Sequence, residues 1–495
     1  MMKYSIIFFS FIASAIWLIS YGYIYQNVFT DYRDLATISH ALNFKDIFIT
    51  GSDPELVNNP YLYGITLSFI LACLSNIYNE IPLIILSKHT LITIHLFAIF
   101  IYLRQLYQVA SEKFVISIAL PITFLFFSNT QMPLIVRPDA LGVLFIFLAY
   151  SCLNFHKIIY KMIFISIFVI LAYFSKQYFL FYSLPFFIYF LIKGCAAYFS
   201  IIFSVIFIAS NIFVIKYIPN YLYSTIGLQS QATGGSFKYS FIQMFYLIVL
   251  LSPILLIFNK NGLLKSKDLL SKVYQKSEFH LIHVIVVFTS IPVILVIGTN
   301  HGAFITYHYQ LLLPSIIFII FATFDKQIKN SGILLTLSVF LVLQTQIITP
   351  VSKPILRAFD LYDEPKKTVN IDQSEEVVFI SPMFYGVVDN YKYLDNGNLE
   401  YYHNALDPNI ITHTLDNNIF EKNYDNSFSN YWKDLFSNIK SDVQECGAVS
   451  YITKNYYFNR VLFEDTKFFV EDEFNIKMGV RNWLGQKIRV ICDEE

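Results

Sequence analysis

The sequence predicts a mainly α fold, a polytopic transmembrane helical bundle followed by a small soluble α/β domain, on three observations. Hydrophobic residues make up 56% of the 495 positions and charged residues only 14%, and the mean hydropathy is +0.53, all far from a soluble domain. Apolar runs long enough to cross the ~30 Å hydrocarbon core as self-satisfied helices recur about eleven times. The character then changes near residue 355, where charge returns.

In order, the expected spans are 4–25, 83–103, 114–130, 139–155, 159–174, 177–192, 195–214, 241–258, 280–298, 304–323 and 332–350. The first follows Lys3 and contains Ala13-Ser14-Ala15, a small-residue cleavage pattern, but the run continues through Ile16, Trp17, Leu18 and Ile19, so an uncleaved span is expected. The segment 61–79 is apolar but carries Gly64, Ser68, Ser75 and Asn76. If it stays on the outer side, the inner loops hold thirteen Lys and Arg, including Lys260, Lys265, Lys267, Lys272 and Lys276, and the outer loops six. Positive charge favours the inside, so 61–79 is read as a re-entrant or interfacial element. A twelve-span arrangement with the N-terminus outside keeps the later loops in place. The membrane domain is thus 1–354, with 26–81 as its first extracytoplasmic loop, carrying interfacial helices.

Asp360, Asp363, Glu364, Pro365, Lys366 and Lys367 form a charged linker into 355–495, an extracytoplasmic domain large enough for one core. Within it, 376–380, 467–470 and 487–491 read as strands and 431–445 as a helix. Cys73, Cys152 and Cys195 lie in or beside apolar runs as small hydrophobes. Cys446 and Cys492 fall in the tail, where a disulfide between them could persist. The zero net charge hides this uneven distribution, and the 50 Phe and 36 Tyr suit lipid-facing and interfacial positions rather than a nucleic-acid surface.

Ionisable residues gather at the ends of the runs on the outer face. Asp31-Tyr32-Arg33-Asp34 follows the first span and places carboxylates at the membrane surface, where a general base would serve an acceptor hydroxyl; they would equally begin an interfacial helix. Arg137-Pro138-Asp139 opens a span with a fixed cation suited to phosphate, or simply with a local ion pair. Lys176, in Ser175-Lys176-Gln177, could hold a lipid phosphate or snorkel to the headgroups. His301, beside Asn300, and His308, between Tyr307 and Tyr309, could contact a donor head group or be interfacial hydrogen-bonding side chains. Asp31, Asp34, Asp53 and Glu55 could take a divalent metal, but without diagnostic ligand spacing.

The order of these features, with Asn59-Pro60-Tyr61-Leu62-Tyr63-Gly64 between the acidic loop and Arg137-Pro138-Asp139, then Lys176-Gln177, resembles the GT-C superfamily of integral membrane glycosyltransferases. The branch it is most similar to contains protein mannosyltransferases and lipid A aminoarabinose transferases. The resemblance implies transfer of a sugar from a polyprenyl-phosphate donor to an extracytoplasmic lipid, glycan or protein acceptor, with inversion, in a cell membrane such as the bacterial inner membrane. It implies Asp31 as the base, since its spacing to Ala41-Leu42 fits the acidic residue that precedes the first interfacial helix; Asp34 is the alternate, because many members carry an Asp-Glu pair there and this chain has Asp31-Tyr32-Arg33-Asp34. Asp139 matches the second acidic position. Arg137 and Lys176 would face the carrier phosphate, with Tyr61, Gln177, His301 and His308 completing the substrate-binding set. No nucleotide-binding glycine loop is present, in keeping with a lipid-linked donor.

Two other classes stay open, a polymerase or ligase of lipid-linked polysaccharide and a transporter or flippase. A transporter should carry its charges near the midplane and often inverted repeats, and a polymerase a long late outer loop, for which 215–240 is the candidate.

Overall fold

The computed structural model describes residues 64–78, 83–109, 138–218 and 277–297, the backbone of four strands in the tail, and scattered positions including Thr37, Phe44, Val136, Tyr221 and 314–319. Its helices are α1 (Thr66–Ile77), α2 (Leu83–Tyr107), α3 (Asp139–Ser151), α4 (Ile158–Ser175), α5 (Ser183–Ile192), α6 (Ala196–Tyr217) and α7 (Glu278–Ile297). Short 3-10 turns, Cys152–Asn154 and Gln177–Tyr182, follow α3 and precede α5. Among the described residues, Ile85–Tyr107, Ile158–Ser175 and Ala196–Tyr217 are long and apolar enough to cross a membrane. The expected spans 83–103, 139–155, 159–174, 177–192, 195–214 and 280–298 all fall on these helical segments. The other five lie wholly or mostly outside the described residues.

α1 is 12 residues, about 18 Å at 1.5 Å per residue, well short of the ~30 Å core. The 177–192 run is not one α-helix. Lys176 is extended, with φ −157° and ψ 133°, which ends α4, and the chain restarts as a tighter 3-10 coil over Gln177–Tyr182 before α5. Pro185 is the third residue of α5, within the first turn, where its missing N–H is no loss. At the other end of α5 the Gly194 N–H donates to Leu191 O (3.0 Å) and the Cys195 N–H to Phe190 O (2.9 Å). Gly194 takes φ +74°, the left-handed residue of a Schellman stop.

A few bonds fix how the helices run. α3 and α4 form an antiparallel hairpin, because only the 3-10 turn and residues 155–157 separate them. α2 lies parallel to α3: the Gln105 amide donates to Phe147 O (2.7 Å) and Ser151 Oγ (2.8 Å), and the Asn154 amide to Gln108 Oε1 (3.4 Å). α4 and α6 run parallel, with α5 returning the chain between them, and the Tyr173 hydroxyl near the end of α4 donates to Asn211 Oδ1 near the end of α6 at 3.3 Å. The 314–319 segment meets α2 and α7 through Tyr102 OH to Pro314 O (2.8 Å) and His283 Nδ1 with Ser315 Oγ (3.0 Å). At the end where α4 finishes, Phe44 of the first loop packs in one apolar cluster with Ala72, Ile170, Tyr173, Phe174, Val214, Ile218 and Tyr221.

In the tail, β1 (Val377–Ile380), β2 (Ala448–Thr453), β3 (Phe468–Met478) and β4 (Arg481–Val490) form a sheet of order β1-β2-β4-β3. β1 pairs with β2 in parallel, Val377 opposite Ala448, and the other pairings are antiparallel. β1, β3 and β4 overlap the stretches expected as strands at 376–380, 467–470 and 487–491; the helix expected at 431–445, Cys446 and Cys492 lie outside the described residues.

Candidate functional site

The α3–α4 hairpin brings the start of α3 beside the end of α4, so Asp139 and Lys176 meet although 37 residues separate them. Asp139 is the first residue of α3, after Pro138 at the cap, where the helix dipole favours an anion; Lys176 directly follows α4, where it favours a cation. Lys176 Nζ donates to Asp139 Oδ1 at 2.8 Å. Both side chains are withdrawn from solvent, 9% and 7% exposed, so the pair is an ion pair inside the bundle rather than two surface charges. Tyr178 donates its hydroxyl to the same Oδ1 at 3.0 Å, and its ring lies 5.3 Å from Lys176 Nζ in cation–π range. The extended backbone at Lys176 makes this possible, because it turns the chain back so that Tyr178 re-approaches the ammonium.

The other sequence motifs close on the same point. The Gly64 N–H, which ends Asn59-Pro60-Tyr61-Leu62-Tyr63-Gly64, donates to the carbonyl of Ser175 at 3.1 Å. A Cβ at Gly64 would overlap the carbonyl of Phe174, so only glycine allows the two backbones to touch. Thr66 Oγ1 donates to Leu171 O at 3.5 Å. In the first loop, Thr37 Oγ1 donates to Val136 O (3.1 Å), and Ser68 Oγ donates to Thr37 O (3.1 Å). Thr37 lies three residues after Asp34, and Val136 precedes Arg137. Thr37, Gly64, Val136 just before α3 and the end of α4 are thereby tied together at one end of the bundle.

Of the residues singled out by sequence, Asp139 and Lys176 are in direct contact and Gln177 opens the adjoining 3-10 turn. Asp31, Asp34, Asp53, Glu55, Tyr61, Arg137, His301 and His308 lie outside the described residues.

Three residues escaped the sequence reading. Tyr178 is one tyrosine among 36. Lys88 and His95 sit inside the apolar run of α2, 0% and 1% exposed. Their spacing of seven places them on one face of the helix. The parallel register of α2 and α3, Gln105 against Phe147 and Ser151, puts His95 level with Asp139, whose charge acts on it; Lys88 lies two turns further toward the loop end. The available signal was an ionisable pair within a span.

No family model matches this sequence, and no curated protein matches it. Among solved structures, the chain is similar to ArnT from Cupriavidus metallidurans, in a crystal structure bound to undecaprenyl phosphate, with a TM-score of 0.56, 9% sequence identity and 97% of each chain covered. At that identity the likeness speaks for the fold alone: the chain shares the polytopic helical fold of that protein over nearly its whole length.

Proposed function

We propose that this protein is a membrane glycosyltransferase that moves a sugar from a polyprenyl-phosphate donor to an extracytoplasmic lipid, glycan or protein acceptor with inversion. The observation that carries this reading is the buried Asp139–Lys176 ion pair, with the half-buried Tyr178 on the same carboxylate, at the end of the bundle where Thr37, three residues after Asp34, bonds the Val136 carbonyl. The likeness in fold to a protein that binds undecaprenyl phosphate supports the same class of donor.

In this reading Asp31, with Asp34 as the alternate, takes the proton of the acceptor hydroxyl. The acceptor oxygen attacks the anomeric carbon, the bond from that carbon to the phosphate oxygen breaks, and polyprenyl phosphate leaves with the electron pair. Asp139 accepts from Lys176, and Tyr178, which donates to the same carboxylate and lays its ring near the ammonium, helps to fix the direction of that group. Asp139 is therefore the residue that orients Lys176, while Arg137, two positions before it, and the buried Lys88 supply further positive charge to the departing phosphate. Such preset charges act strongly where water is excluded. Gln177, Tyr61, His301 and His308 are assigned to the sugar and carrier. The protein would work in a bacterial inner membrane with its tail outside.

The test is transfer of radiolabelled sugar from polyprenyl-phosphate-sugar donors by the purified full chain in lipid. Loss of turnover in Asp31→Asn or Asp34→Asn, but not both, identifies the base. A roughly 100-fold or larger fall in Lys176→Met is expected for a group that stabilises the leaving phosphate. Wild type inactive with every donor while binding and translocating a polyprenyl phosphate would overturn the reading.

A further inference from the structure

The opposite end of the bundle carries a second cluster that the proposed chemistry does not use. Glu278, the first residue of α7, accepts from Lys161 of α4 at 2.5 Å through Oε2 and faces Lys193, just after α5, at 3.4 Å through Oε1. One carboxylate is thus shared by two ammonium groups, which leaves the trio with a net positive charge. Beside it opens a cavity of about 410 Å3 whose polar lining is Gln108, Asn154, His156, Lys161, Ser277 and Glu278. That size suits a small polar ligand. Lys157 stands next to His156 in the same turn.

An apolar strip begins at the mouth of this cavity. Phe155 lines the cavity, is exposed, and packs its ring against Phe164 with centroids 5.4 Å apart. Ile158 and Ile159, in the first turn of α4, are exposed beside them. A polar pocket beside a net-cationic trio, continuous with an outward apolar strip at a helix end, matches an amphiphile with an anionic head. A soluble anion would have no use for the strip.

We propose that this cavity binds the phosphodiester headgroup of an anionic phospholipid, with an acyl chain along Phe155, Ile158, Ile159 and Phe164. Lys161 and His156 meet the phosphate, and the side chains of Asn154, Gln108 and Ser277 hydrogen-bond the rest of the head. The lipid would bridge α2, the α3–α4 turn and the start of α7. This site stands independently of the transfer reaction.

The experiment is native mass spectrometry of the detergent-purified full chain titrated with phosphatidylglycerol, phosphatidylcholine of the same acyl chains, or inorganic phosphate. Wild type should hold phosphatidylglycerol in preference to phosphatidylcholine. Lys161→Gln and Lys193→Gln, which remove the two ammonium groups on Glu278, should each weaken it roughly five-fold, about the effect of one basic residue facing an anionic lipid. Arg104→Gln, an exposed cation on α2 outside the cavity lining, should leave it unchanged. If Lys161→Gln does not fold, Lys193→Gln decides, since its side chain is 40% exposed. Equal retention of the two lipids, unchanged retention in the lysine variants, or an equal loss in Arg104→Gln would overturn the proposal. Inorganic phosphate that binds alone and displaces phosphatidylglycerol would overturn the lipid assignment in favour of a soluble phosphate ester.

Discussion

The amide of Gly64 and the carbonyl of Ser175 are joined by a 3.1 Å hydrogen bond, backbone against backbone, immediately before Lys176. Any side chain at position 64 must push the Phe174 carbonyl away. Gly64→Ala should therefore cost at least the ~1–3 kcal/mol of ordinary overpacking and displace Lys176 with it. Gly194→Ala is the control: a Cβ there meets nothing within 4 Å but sits at φ +74°, so the cost should stay near the ~1–2 kcal/mol of left-handed backbone. Chemical denaturation of both variants in detergent checks the order, and equal midpoints would refute it.

For the ion pair, the physics of a withdrawn charge sets the expectation. Asp139→Asn or Lys176→Met alone leaves the other charge without its counter-ion and should destabilise by about 3–5 kcal/mol. The double variant Asp139→Asn with Lys176→Met should lose much less than the sum. A double-mutant cycle on unfolding midpoints measures the coupling, and additive effects would mean that the two charges do not depend on each other.

Tyr178 acts twice, through its hydroxyl on Asp139 and its ring near Lys176. Tyr178→Phe keeps the ring and should cost about 1.5–3 kcal/mol, the usual size for a hydrogen bond to a charged group. Tyr178→Leu removes both and should cost about 0.5–2 kcal/mol more. If the two variants denature at the same midpoint, the ring contributes nothing.

At the far end, burial acts to raise the carboxyl pKa of Glu278, but the hydrogen bond from Lys161 and the charges of Lys161 and Lys193 help to outweigh it and hold the group below its usual 4.5. A carboxyl lowered on folding contributes stability that is fully present above its unfolded value and is lost as pH falls through the folded one. Melting temperature should therefore be insensitive to this group from neutral pH to about pH 5, then fall. Glu278→Gln should flatten that acid limb, and a limb identical to wild type would assign it to other groups.

The sequence made Asp139 and Lys176 visible because ionisable residues stand out at the ends of apolar runs. Their contact was harder to read, since it depends on the hairpin being just long enough for the start of α3 to face the end of α4. Lys88 and His95 were hidden by the run that contains them, and Tyr178 by the abundance of tyrosine. The 3-10 turn at Gln177–Tyr182 has no hydrophobic period of its own, so 177–192 looked like one span. The Thr37 and Ser68 bonds to backbone carbonyls leave no trace in sequence at all, and they are what fasten the first loop to the bundle.

The α3–α4 hairpin also works as a ruler. One end of it holds the Asp139–Lys176 pair and the other holds Lys161 and the cavity, so their separation is set by the count of residues in α4 rather than by the lipid around it. Adding or removing one helical turn in α4 would slide Lys176 about 5.4 Å along the axis, beyond reach of Asp139, while leaving the composition of the span unchanged. The depth of the charged pair is thus built into the chain, and a thicker or thinner bilayer would tilt the hairpin before it could separate the two residues.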